Sequence, residues 1–106
     1  TMLLMRMIYN LIENAINYGI NGGCVWINLI KNQKNTDIII KDNGIGIEKE
    51  HLDKIWNRFY RVDKSRSAGE GFGLGLSMVR FIVDIHGGSI AVKSKPGYGT
   101  TFTVSL

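Results

Sequence analysis

Two pairs of strand-like segments, each joined by a short turn, set the narrowest limit on how this chain can fold. The first pair is "CVWINLI" and "TDIIIKD", separated by the polar turn "KNQKN"; the second is "SIAVKSK" and "TTFTVSL", separated by "PGYG". Connections this short join antiparallel neighbours, because a parallel pair needs a crossover of a dozen or more residues. Phe102, Val104 and Leu106 alternate, which puts all three on one face of the last strand. Three further segments read as helices. Residues 2–18 place Leu4, Ile8, Leu11, Ile12, Ala15 and Ile16 in the i, i+3, i+4, i+7 rhythm of a buried face. "EKEHLDKIWNRFY" (48–60) is acidic at its start and basic near its end, as the helix dipole favours. "LGLSMVRFIVDIHGG" (74–88) is apolar nearly all round and closes at Gly87, a C-cap glycine. The order helix, two strands, helix, loop, helix, two strands predicts an α+β fold. It is a two-layer α/β sandwich, with a mixed, mostly antiparallel sheet covered on one face by helices. A doubly wound parallel sheet would need strands and helices to alternate singly.

The 106 residues make one domain, spanning 1–106. A hydrophobic share of 44% and a charged share of 21% are those of a soluble globular protein. The single cysteine, Cys24, excludes an internal disulfide, fits a reducing compartment and reads as a small core residue. No apolar run has the length of a membrane span and no signal peptide is evident, so these residues are expected to be cytoplasmic and to make no membrane contact. The net charge of +4 suits an anionic ligand. It does not point to nucleic acid, because the positive charge is scattered over loops and helix ends without an aromatic-interleaved basic face.

Three motifs carry chemistry. "SRSAGEGFGLGLSMV" (65–79) packs Gly69, Gly71, Gly73 and Gly75 into seven positions before an apolar helix. So many glycines cost conformational entropy, and a bare backbone opening a helix offers N–H groups and a positive dipole end to an anion. Neither common phosphate loop matches. No lysine follows the glycines, and no buried strand precedes them. On the first helix Asn10, Glu13, Asn14 and Asn17 form one polar stripe opposite the apolar face. Asparagine is a poor helix former, and its neutral carboxamide oxygen suits Mg²⁺ that keeps waters and phosphates in its shell. "DNGIGI" (42–47) follows an apolar strand, so the Asp42 carboxylate sits at the edge of the core, where it can accept from an exocyclic amine. Gly44 and Gly46 would let a flat ring approach, although Asp-Asn-Gly is also ordinary turn chemistry.

In this order and spacing the motifs resemble the ATP-binding domain of sensor histidine kinases, in the superfamily that also holds DNA gyrase and heat-shock chaperones (the Bergerat fold). "NLIENAINYG" is similar to its N box, "DNGIGI" to its first glycine box, "NRFYRVDKSRS" to its F box and lid, and "GEGFGLGL" to its second glycine box. The tail "HGGSIAVKSKPGYGTTFTVSL" is typical of the histidine kinase branch, so the resemblance covers essentially the whole chain. It implies ATP and Mg²⁺ as ligands. Asn14 would coordinate the metal, with Asn10 and Asn17 lining the same site. Asp42 would take the adenine amine, with Gly44 and Gly46 against the ring, Ile47 beside it and Thr100 holding a shared water. Tyr60 would lie near the nucleotide, and Arg61 and Lys64 would offset phosphate charge during transfer. Gly71, Phe72, Gly73, Leu74, Gly75 and Leu76 would supply backbone N–H groups to the phosphates, with the preceding loop as a lid.

The resemblance also implies partners: a dimerisation domain carrying the phosphoacceptor histidine, and a cognate response regulator. Membrane anchoring of the parent protein is common in the family. The family's opening strand and helix, and its phosphoacceptor box, have no counterpart in these 106 residues, so the sequence reads as an N-terminally truncated domain. Asn10 stands where hydrolysing relatives carry a water-activating glutamate, which favours phosphoryl transfer to a histidine over ATP hydrolysis. Glu13 is the remaining candidate base. Asn17 replaces a lysine frequent in the family, and Glu70 replaces a glycine. Those two departures give some support to a non-catalytic nucleotide-sensing module as the alternative; the other alternative is a hydrolysing ATPase of the gyrase type.

Overall fold

The structure, a computed structural model, describes residues 2–20, 22–57 and 75–106. Helix α1 spans Met2–Asn17, and the first hairpin is β1 (Val25–Lys31) with β2 (Thr36–Asp42). A single 3₁₀ turn, Lys49–His51, precedes helix α2 (Gly75–Ile85), and β3 (Ser89–Lys95) with β4 (Gly99–Ser105) closes the chain. The sheet order is β1-β2-β4-β3. The expected mixture of strand directions is not found among the described residues: all three ladders are antiparallel.

Local chemistry accounts for the hairpins and for the end of α2. In the first turn the Asn32 carboxamide oxygen accepts from the amides of Lys34 (3.2 Å) and Asn35 (3.0 Å), an Asx turn that reverses the chain. Past α2, Gly87 adopts φ 70°. The Gly88 amide reaches back to the Val83 carbonyl (3.1 Å) and the Gly87 amide to Asp84 (3.0 Å), which is a Schellman ending. His86 adds a side-chain cap, its Nδ1–H donating to the Ile82 carbonyl at 2.7 Å. The glycine cap matches the sequence expectation.

The core lies between the helices and one face of the sheet. Met7, Leu11 and Ala15 of α1 and Val79, Ile82 and Val83 of α2 meet Ile38, Ile40, Phe102 and Val104 there, with Leu4, Ile8, Ile12 and Leu106 at its margin. Burying each large side chain of this set contributes roughly 1.5–3 kcal/mol. Ile16, expected on the buried face, is 65% exposed, because the buried line runs through Met7, Leu11 and Ala15, one residue round the helix from it. Cys24 is likewise exposed rather than a core residue. It precedes β1, the edge strand on which every residue is exposed.

The helix expected over 48–60 is a 3₁₀ turn followed by further turns in its described part. Glu48 makes no side-chain capping bond, and the amides of His51, Leu52, Lys54 and Asn57 bond three residues back. The tighter winding that results is that of an uncapped short segment. Ile55 still reaches the core, and the Trp56 ring packs edge-on against Phe102 (centroids 6.0 Å, 81°) with the Arg80 guanidinium over it.

Candidate functional site

The "DNGIGI" segment is stitched into place by bonds to four other parts of the chain. The Ile45 amide donates to the carbonyl of Tyr18 at the end of α1 (3.0 Å), and the Ile45 carbonyl accepts from Gly97 in the β3–β4 turn (2.8 Å). The Asn43 carboxamide oxygen accepts from the Cys24 amide at 2.7 Å, which ties in the start of β1. The Ile47 amide donates to the hydroxyl of Ser94 on β3 at 2.7 Å. These closures explain the glycines from within the fold. A Cβ on Gly44 would collide with the Tyr18 carbonyl, and one on Gly46, at φ 78°, with the Lys95 carbonyl.

Asp42 ends β2 opposite Thr100 of β4, and both are buried. Its Oδ1 accepts from the Gly44 amide at 2.8 Å, and the Thr100 amide is a second donor. Burial holds the carboxyl above its ordinary value of 3.8, more than those two amides pull it down. A carboxylate offers about four acceptor positions, so two amide donors leave room for a third donor from a ligand. The Thr100 hydroxyl lies 2.8 Å from that of Ser94, whose oxygen is also 3.0 Å from the Gly99 carbonyl.

Asn10, Glu13, Asn14 and Asn17 stand half-buried along α1, the helix whose continuation at Tyr18 holds Ile45. The polar stripe and the Asp42 segment are thus joined through the backbone. Glu13 is engaged by its neighbour one turn back, the Tyr9 hydroxyl donating to its Oε2 at 3.1 Å. Gly75 opens α2, whose first turn carries no acidic side chain, whereas Leu76 packs against the core. Ile47 is itself a core residue. Tyr60, Arg61, Lys64, Gly71, Phe72, Gly73 and Leu74 lie outside the described residues.

Among the described residues no three His, Cys, Asp or Glu side chains gather as a metal cage. The donor set on α1 is neutral carboxamide oxygen, which fits an ion that arrives with phosphates and waters. Sequence reasoning passed over Ser94 and Asn43, which hold the segment. A signal existed for Ser94: it occupies the inward register of β3, where Ile90 and Val92 precede it.

The whole chain, residues 1–106, matches the family model described as histidine kinase-, DNA gyrase B- and HSP90-like ATPase. The chain belongs to this family of ATPase domains. It is 47% identical over 105 residues to the sensor-like histidine kinase SenX3 of Mycolicibacterium smegmatis, matching 98% of this chain and 27% of that protein. It is 44% identical over 102 residues to the sensor protein SrrB of Staphylococcus aureus, matching 95% of this chain and 18% of that protein. The mycobacterial sensor histidine kinase MprB superimposes with a TM-score of 0.84 at 30% identity, over 98% of this chain and 71% of the other. The chain therefore spans 27% and 18% of the length of SenX3 and SrrB, and no helix among its described residues is long and apolar enough to cross a membrane.

Proposed function

We propose that this chain is the ATP-binding catalytic module of a sensor histidine kinase. It would donate the γ-phosphoryl group of ATP to a histidine on a separate dimerisation domain, for onward transfer to a response regulator. The observation that carries the reading is the buried Asp42 carboxylate, held by two backbone amides with acceptor capacity to spare, in a segment anchored to the asparagine-bearing helix.

In this reading Asp42 accepts from the adenine amine, while Thr100 binds the water or amine beside it. Asn14, with Asn10 and Asn17 along the same stripe, would offer carboxamide oxygen to Mg²⁺ that arrives with the phosphates. Bound magnesium would supply charge neutralisation for the phosphoryl group in flight. Gly75 and Leu76, continuing the run from Gly71 to Leu74, would present backbone N–H groups, and Tyr60, Arg61 and Lys64 complete the assignment from the motif. Glu13, which accepts from the Tyr9 hydroxyl, would be the candidate general base. Asn10 has no basic group with which to activate water, which favours transfer over hydrolysis.

The test is to mix the chain with Mg-ATP and the phosphoacceptor domain of the same kinase. Acid-labile phosphohistidine should form on that domain, while the chain alone releases phosphate very slowly. Rapid phosphate release without phosphohistidine would reassign the module to the hydrolysing branch.

A further inference from the structure

We propose that Ser94 is a positioning residue for base recognition. Its hydroxyl fixes the direction of the Thr100 proton, so that Asp42 and Thr100 present acceptors together toward a donor group on the base. The proposal rests on the nucleotide reading above and adds a residue and a selectivity to it.

Proton counting at the Ser94 oxygen fixes the direction of each bond. The Ser94 oxygen has three neighbours: the Ile47 amide at 2.7 Å, the Gly99 carbonyl at 3.0 Å and the Thr100 hydroxyl at 2.8 Å. The amide is only a donor, so Ser94 accepts from it. The carbonyl is only an acceptor, so the single Ser94 proton goes there. Thr100 is therefore left to donate to Ser94, and both lone pairs of its oxygen remain for the site. Thr100 is buried and Ser94 partly buried, so a reversed hydroxyl would leave the Gly99 carbonyl facing an oxygen without a hydrogen between them.

Placement makes the arrangement consequential. Asp42, Thr100 and Ser94 form one cross-strand row over β2, β4 and β3, on the helix-covered face. Asp42 is an acceptor when ionised, and Thr100 is held as an acceptor by Ser94. Two adjacent acceptors favour an exocyclic amine in direct contact and disfavour a carbonyl at the same position of the base. A Thr100 hydroxyl free to turn could satisfy either. Ser94 thus contributes to the choice of adenine over a 6-oxo purine without touching the base.

The test compares Mg-ADP with Mg-inosine diphosphate, in which a carbonyl replaces the amine, by calorimetric titration into the chain. The unsubstituted chain should prefer ADP. Ser94→Ala should lower that preference by about tenfold, the scale of one oriented hydrogen bond. Ser94→Thr, which keeps the hydroxyl, should restore it. In a Thr100→Val background Ser94→Ala should change the preference no further, because the residue acts through Thr100. Should Ser94→Ala fail to fold, Ser94→Cys, with its weak donor and acceptor, takes its place and should show the same loss. An unchanged ADP preference in Ser94→Ala, or in Ser94→Cys where it stands in, overturns the proposal while leaving the nucleotide site intact. An equal loss in the Thr100→Val background overturns it too, by assigning the effect to the Ile47 contact. A folded chain that binds neither nucleotide overturns the nucleotide reading itself.

Discussion

The two strands of the first hairpin are similar in composition and opposite in fate. Ile27 of β1 and Ile40 of β2 are cross-strand partners on one face, yet Ile27 is 53% exposed and Ile40 1%. Leu29 and Ile38 repeat the contrast, at 68% and 5%. Polar residues run the other way, since Asp42 and Thr100 are buried where the central strands end. Position in the sheet decides this, not side-chain character. The core closes over β2 and β4, and β1 contributes no residue to it. Burial of a charge-bearing side chain in the central strands, beside exposed aliphatics at the edge, is the reverse of what packing alone would favour and supports the proposed site at that end.

The comparison is broken most directly by truncation. Phe102→Ala should cost about 3–5 kcal/mol in denaturant melts, as a fully buried aromatic does, while Leu29→Ala should stay within about 0.5 kcal/mol. Similar losses at both positions would mean that the edge strand is buried in solution. Next in size is Gly44→Ala. Its Cβ meets the Tyr18 carbonyl, so the segment must shift, at an expected loss of about 1–3 kcal/mol together with weaker nucleotide binding. His86→Ala, which removes the Nδ1–H bond to Ile82 at the end of α2, should cost only about 0.5–1.5 kcal/mol.

Asp42 gives the smallest stability effect and the sharpest one. Its folded-state value lies above the ordinary 3.8, so the native state holds the proton more tightly than the unfolded chain. That contribution to stability is fully present below pH 3.8 and is lost as pH rises through the higher folded value. Above it, the ionised carboxylate is a burden on the fold. Asp42→Asn keeps an oxygen for the Gly44 amide and removes the burden, so its melting temperature at neutral pH should equal or exceed that of the unsubstituted chain. The pH dependence of stability just above 3.8 should flatten accordingly. A marked destabilisation would mean that the carboxylate is held by more than the two amides.

Much of the architecture was legible from the residues. Hairpin turns, the Gly87 cap and the alternation of Phe102, Val104 and Leu106 are local chemistry, and each is found where the sequence places it. What could not be read was set by long-range packing. The exposure of Cys24 and Ile16 depends on where the helices cross the sheet, and the turns over 48–57 on the lack of a cap and the anchoring of Trp56 against Phe102. Asp42 was singled out from the strand it ends and the motif it opens, and Thr100 through the family resemblance alone. Ser94 was missed, because its inward register in β3 tells which face it takes but not which partners it meets across the sheet.

The most direct test of the account is calorimetric titration of Mg-ADP into the chain and into Asp42→Asn, with melting curves recorded beside each. The account predicts magnesium-dependent binding to the unsubstituted chain, and loss of that binding by more than about tenfold in a variant that melts no lower, because an amide nitrogen would face the adenine amine donor to donor. Equal binding by a folded Asp42→Asn chain, or none by the folded unsubstituted chain, would contradict it.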